Sequence, residues 1–253
     1  MGPGQHRLYD TASMVCFVGL IGLPIWFAVC ALGPKLGLAE GNYALERLTL
    51  FWGVILAGFF LVTGLAALTL LIVYRRSSRE LPPGSWVPVC GLTVAAIAFT
   101  VSLTAAFIYN ARPAVTEVTT DGQDPPAFTE ALTLRRGVKA NTLDFADGYR
   151  PEAVIEPVRF TAPPDAVFDA LLETARDRRW RVGSVSRRRG MVELTIESFW
   201  YAQTDDIVIR LSTTEAGGTQ LDYRAAARTG SRDGGRNARR LTVIEREIRD
   251  RLD

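Results

Sequence analysis

The stretch LTLFWGVILAGFFLVTGLAALTLLIVY, residues 48–74, holds no charged residue and is closed by Arg47 on one side and by Arg75-Arg76 on the other. About 20 apolar residues in a helix cross ~30 Å of hydrocarbon, so this run predicts a membrane span. Two similar runs flank it. Residues 12–32 carry no charge, and Pro24 inside them predicts a kink that neighbouring helices can accommodate. Residues 86–109 lie between Pro82-Pro83-Gly84 and Asn110-Ala111-Arg112-Pro113. Trp52, Tyr74, Trp86 and Tyr109 fall near span ends, where amphipathic rings sit at the water boundary. The first run is too long for a cleaved signal's apolar core. Val29 before Cys30 fits a lipoprotein cleavage site poorly, and position 6 is His rather than the Ser or Thr of a myristoylation signal. The first run is therefore expected to remain as a span.

Beyond residue 111 the chain changes character. It has 253 residues, 48% hydrophobic and 22% charged, with mean hydropathy +0.11. Residues 1–111 hold six Lys and Arg and four Asp and Glu, whereas residues 112–253 hold 23 of each. That asymmetry excludes a disordered chain, a collagen-like chain and a single soluble domain. Cys16, Cys30 and Cys90 all lie in the apolar half, and the one histidine is His6. The second half can build neither a Cys–His or Ser–His nucleophile nor a Cys/His zinc site. Lys139 is its one lysine, against 27 arginines in the whole chain, a bias we attribute to the genome. No metal or cofactor is expected.

Positive charge near span ends sets orientation. The loop between spans two and three carries Arg75, Arg76 and Arg79, and Arg7 precedes span one. Lys35, Arg47 and Arg112 lie on the other side. The concentrated loop places itself in the cytoplasm and residues 112–253 outside, which is the periplasm if the membrane is the inner membrane of a Gram-negative bacterium. The spans hold no charged residue, which disfavours a pump or channel. Gly91, Ala95, Ala98, Ser102 and Ala105 form a small-residue stripe on span three, suited to close helix approach. It predicts either packing inside the bundle or lateral docking to another membrane protein or a second copy.

Residues 112–152, with Pro113, Asp121-Gly122, Asp124-Pro125-Pro126 and Gly148-Tyr149-Arg150-Pro151, read as an extended tether, much of it packed on the domain after it. Residues 153–253 read as that soluble α+β domain. Residues 154–160 predict a strand. Thr161, Pro163-Pro164 and Asp165 predict a hydroxyl-capped helix start, and Phe168, Leu171, Leu172 and Ala175 its buried face. Trp180, Val182 and Ser184 predict the inner side of a strand, with a turn at Arg187-Arg188-Arg189-Gly190. Val192, Leu194, Ile196 and Trp200 alternate with Glu193, Thr195 and Glu197, predicting one dry and one wet face. Ile207, Ile209 and Leu211 continue the sheet, then Leu221, Tyr223 and Ala225 after Gly217-Gly218. Leu241, Ile244 and Ile248 share a final helix face supported by Glu245 and Arg249. The predicted fold is a three-span helical membrane domain and then an antiparallel sheet with helices on one face.

Three motifs in order carry a resemblance. Thr119-Thr120-Asp121 with Asp124-Pro125-Pro126-Ala127-Phe128 resembles the opening signature of domain-of-unknown-function family 1499, found in bacteria and plastids. Asp205-Asp206-Ile207-Val208-Ile209-Arg210 resembles its central "DDVVIR" strand. Asp222-Tyr223-Arg224 and the stretch from Arg228 to Arg240 resemble its closing "DVRSxSRxGxSDxGxNAxRI" motif, with alanines at 225–227 where serines are expected. The resemblance covers about 115–253, and three preceding spans are an arrangement the family shows. It implies a fold and a compartment but no reaction.

Neighbouring strand residues point to opposite faces, so Asp205 and Asp206 are not one acid–base pair, and the expected role is a strand start with a turn-forming or capping Asp. Arg224, Arg228, Asp233, Asn237 and Arg240 form the candidate binding constellation. It is either a capped loop pinned by Asp–Arg pairs, an anion or head-group site at a helix N-terminus, or a docking loop. The arginines of 176–189 are expected at a solvated helix end and turn, with a membrane surface as the alternative. The neutral second half gives no reason to expect nucleic acid. The function expected is a membrane-anchored accessory, assembly or binding protein touching membrane lipid and another membrane protein or a second copy. The alternatives are a carrier or sensor of a lipid-like ligand and a carboxylate-dependent hydrolase.

Overall fold

The computed structural model describes residues 3–78, 81–112, 114–136, 140, 141, 153–230 and 232–253. Arg79, Pro113, Lys139, Gly148-Tyr149-Arg150-Pro151 and Ser231 lie outside the described residues. Two compact units result, Met1–Ala111 and Arg112–Asp253.

In the first unit, α1 (Pro3–Leu32) precedes α2 (Gly41–Tyr43), which runs through a π-helical segment (Ala44–Trp52) into α3 (Gly53–Ser78), and α4 (Trp86–Ala111) completes the bundle. His6–Leu36, Gly41–Ser78 and Trp86–Ala111 are each long and apolar enough to cross a membrane. The second helix starts at Gly41 rather than Leu48. Its π segment turns wide: the Leu48 carbonyl accepts the Gly53 N–H and also the Trp26 indole N–H at 3.2 Å. The segment includes Glu46 and Arg47, so the helix begins several residues before the charge-free stretch. Leu23, Ala57 and Ala95 form the fully buried centre of the bundle.

The span-three stripe turns into that bundle. Gly91, Ala95 and Ser102 are buried, Ala98 is half-buried and Ala105 is exposed. A Cβ at Gly91 would lie 2.9 Å from both the Cβ and the carbonyl oxygen of Cys16, so only glycine lets the two backbones meet. Gly91, Ala95 and Ser102 of the stripe thus pack inside the bundle, while Ala105 at its end stays exposed.

The second unit holds β1 (Glu117–Thr119), α5 (Glu130–Leu134), β2 (Val158–Phe160), α6 (Pro164–Asp177), β3 (Arg181–Ser186), β4 (Met191–Glu197), β5 (Thr204–Thr213), β6 (Thr219–Ala227) and α7 (Arg236–Leu252). The sheet is antiparallel and open in the order β1-β6-β5-β4-β3, with β2 also paired to β6. Strand alternation sends Val192, Leu194, Ile196, Ile207, Ile209, Leu221 and Tyr223 to one face, where Phe168 and Leu171 of α6 and Leu241, Ile244 and Ile248 of α7 close the core.

Five sequence expectations change. The stretch read as a tether supplies β1, whose Thr119 pairs with Arg224 and is bracketed by backbone bonds to Ala153 and Ile155. It also supplies α5, so the face of β4 read as wet is covered: Phe128 and Ala131 pack on Val208 and Ala226. Glu193 is only 5% exposed and accepts the N–H groups of Thr129, Glu130 and Ala131 at 2.7, 3.2 and 3.1 Å. Trp200 falls outside β4, which ends at Glu197, and is exposed rather than inward. Val182 and Val185 stay partly exposed because β3 is an edge strand whose register shifts between them. No side chain caps α6; the Pro163 carbonyl takes the Ala166 and Val167 N–H groups instead of the Thr161 hydroxyl acting there.

Candidate functional site

Asp205 and Asp206 open β5, and alternation sends them to opposite faces. Both are fully buried. On the helix face, Arg236 grips Asp205 with two bonds of 2.6 Å, and Arg240 adds bonds of 2.8 and 3.1 Å. On the other face, Asp206 accepts Arg135 Nε at 2.9 Å, Arg228 Nε at 3.1 Å and the Thr195 hydroxyl at 3.0 Å. The turn or cap role expected of the pair is replaced by two buried ion-pair centres, back to back across one sheet. Burial pushes the Arg135 pKa down while the Asp206 carboxylate opposes the shift, and the guanidinium also bonds the carbonyls of Asn141 and Ala226.

Two further arginines repeat the pattern. Arg224 is fully buried, bonds Glu117 at 2.6 Å and lies 5.0 Å over the Phe128 ring. Arg210 reaches Asp124 at 2.8 Å, Asp121 at 2.9 Å and Asp222 at 3.1 Å. Burial resists ionisation of Asp121, but the backbone N–H groups of Asp124 and Gln123, together with Arg210, outweigh it and hold the carboxyl below its ordinary value. The three stretches that carry the family resemblance are thus one another's partners: Asp121, Asp124 and Phe128 from the first, Asp205, Asp206 and Arg210 from the second, Arg224, Arg228, Arg236 and Arg240 from the third.

The proposed constellation does not form one site. Arg224 and Arg228 sit on the α5 face, whereas Asp233, Asn237 and Arg240 sit on the α7 face. Asp233 fills the α7 N-terminus itself, accepting Gly235 N–H at 2.6 Å and Asn237 N–H at 2.8 Å. An anion there would have to displace a carboxylate already bound. The Tyr223 hydroxyl donates to the Asn237 carbonyl at 3.0 Å, and burial pushes its pKa well up, so it stays protonated. The motif chemistry therefore fixes strand register and the α7 start.

Reading from sequence missed Arg135 and Glu193. Arg135 lies in no periodic pattern or motif, and the alternation that holds Glu193 reads it as solvent-facing; each acts on an element more than 60 residues away. A groove of about 550 Å³ runs between β2 and α7, lined by Glu156, Val158, Leu241 and Glu245 among others. Glu245 is held there by Arg249 at 2.7 Å, so the two carboxylates are not an equivalent pair. Among the described residues, no three of His, Cys, Asp and Glu are grouped to hold a metal.

The profile of a family described as Protein of unknown function (DUF1499) matches residues 117–248. The chain belongs to the DUF1499 family. No curated protein matches it. The DUF1499 region begins at β1 and ends within α7, so it takes in most of the stretch read as a tether and all four ion-pair centres.

Proposed function

We propose that this DUF1499 protein is a non-catalytic accessory, assembly or binding protein, held in a bacterial inner membrane with its sheet domain in the periplasm. It acts on a membrane complex or envelope component, through contact with another membrane protein or a second copy. The observation that carries this reading is the mutual saturation of the motif charges. Asp205, Asp206, Glu117 and Glu193 are each enclosed and bonded by the domain's own groups, which suits a rigid scaffold rather than a proton-transfer site. The apolar core that fills the space between β4–β6 and the two helices α6 and α7 argues against a lipid-like ligand held there. Orientation rests on the Arg75, Arg76 and Arg79 loop.

The test is extraction of the full chain in mild detergent, with identification of co-purifying protein and lipid. A stoichiometric membrane protein or envelope component is expected. A monodisperse single chain with nothing bound would overturn the reading.

A further inference from the structure

The second unit pairs its enclosed arginines with acids. Arg135, Arg210, Arg224, Arg228, Arg236 and Arg240 are buried or half-buried, and each meets a carboxylate. Arg112, which opens this unit and is also half-buried, meets none among the described residues. Its Nη1 donates to the Gly234 carbonyl instead. Exposed Arg239 donates its own Nη1 to the same oxygen at 3.1 Å, and it too meets no carboxylate among the described residues. Two guanidiniums therefore converge on one neutral acceptor.

The loop before α7 is shaped for this approach. Gly234 and Gly235 have φ of 63° and 73°, in the left-handed region that glycine enters without steric cost. A Cβ at Gly235 would lie 3.2 Å from Nη1 of Arg239 and 3.8 Å from Nη1 of Arg112. Both side chains thus lie against the face of the loop that a glycine leaves open. Asp233 N–H donates to the Val115 carbonyl at 2.8 Å, and Arg232 Nη1 donates to the Arg112 carbonyl at 3.3 Å. The backbone that carries Arg112 is thereby tied to the same loop. Asp233, the acid within this loop, spends its two oxygens on the N–H groups of Gly235 and Asn237.

Holding the two cations together works against their charge. Burial pushes the Arg239 pKa down, Arg112 pushes it further the same way, and Asp233 opposes them only in part. Asp205 shows the arrangement the domain uses elsewhere, one acid set between Arg236 and Arg240.

We infer that Arg112 and Arg239 bind a phosphate group at this loop, beside the α7 N-terminus. Each guanidinium spends one N–H on Gly234 and keeps the rest of its planar fork for a ligand. Such forks hold phosphate through paired, charge-assisted N–H···O bonds. A phosphate monoester carries about −1.5 to −2 charge at pH 7 and answers both cations, where a carboxylate answers one. A phospholipid headgroup offers the same oxygens with a single charge. The N–H groups of the helix start take no part, since Asp233 fills them. The site shares no residue with the buried ion-pair centres and is independent of which protein the domain binds.

The test titrates the full chain, in an uncharged maltoside detergent, with inorganic phosphate at constant ionic strength and reads binding by calorimetry. Saturable binding is expected. Arg239→Gln should weaken it about tenfold, the loss of one charge-assisted contact. The melting temperature in chloride should stay at the parent value, because Arg239 is exposed. Arg239→Lys should recover part of the affinity, and Arg112→Gln should weaken binding as much as Arg239→Gln does. Arg176→Gln, which removes an exposed arginine from the last turn of α6, should change nothing. A second titration uses glycerophosphoglycerol, the water-soluble headgroup of phosphatidylglycerol. Arg239-dependent binding that is tighter for this diester assigns a lipid headgroup, and the reverse order assigns a soluble phosphate ester. The inference fails if neither probe binds saturably. It fails also if Arg176→Gln weakens binding as much as Arg239→Gln, which would reduce the site to a diffuse positive surface.

Discussion

The two units solve burial with opposite chemistry. The bundle's centre is Leu23, Ala57 and Ala95, and its tightest approach is Gly91 against the Cys16 backbone. The domain buries Asp205, Asp206, Glu117 and Arg224 inside a sheet that also has a full apolar core. The solvents explain the difference. Lipid gives helices no hydrophobic reason to associate, so fit between small residues must supply the attraction. Water drives the sheet together without specifying register, since a slide of two residues preserves the alternation of faces. Buried ion pairs such as Asp205 with Arg236 are poor sources of net stability and good selectors of one pairing.

The sharpest way to break this contrast is to remove a buried acid. Asp206→Ala leaves Arg135 and Arg228 beside an empty site, and removing one partner of a buried pair typically costs about 3–5 kcal/mol. Urea unfolding of the full chain in detergent, monitored through Trp180 at the edge of the core, should show a large loss. Asp205→Ala should cost a similar amount through Arg236 and Arg240. An unchanged midpoint for either variant would mean that the centres do not hold the sheet.

What sequence could and could not show divides along the same line. Periods of 2 and 3.6 place β4 to β6, α6 and α7, because each has an apolar face to bury. They could not show that the second face of β4 is covered. The cover is residues 117–136, interrupted by Gly122 and Pro125-Pro126 and without period. Nor could they pair Asp206 with Arg135, 71 residues away. Trp200 reads as part of the strand because it continues an alternation that the chain abandons at Ser198.

A middle-sized effect tests the bundle. Gly91→Val would drive new carbon atoms into the Cys16 backbone, and forcing extra bulk into a packed interior typically costs about 1–3 kcal/mol. Ala105→Val, on the exposed end of the same stripe, should be silent. The measurement is loss of helicity on titration with a denaturing detergent. Equal behaviour of the two variants would show that contact at Gly91 does not organise the spans.

The smallest effect concerns pH and the half-exposed centre at Arg210. The Asp121 carboxyl is held below its ordinary pKa by backbone N–H groups and by Arg210, against burial acting the other way. A group whose folded pKa is depressed stabilises the fold fully above its unfolded pKa. That stabilisation disappears as pH falls through the lower folded value. Asp121→Asn should therefore lower the domain's melting temperature slightly near neutral pH, and the difference from the parent chain should vanish in acid. Solvent reaches this cluster, so the difference should also shrink in high salt. Asp205→Ala, by contrast, should keep its deficit in high salt, because the charges it separates are shielded from ions by the core around them. If salt erased both deficits alike, the two kinds of centre would be electrostatically equivalent, and the sheet would owe its register to its apolar face alone.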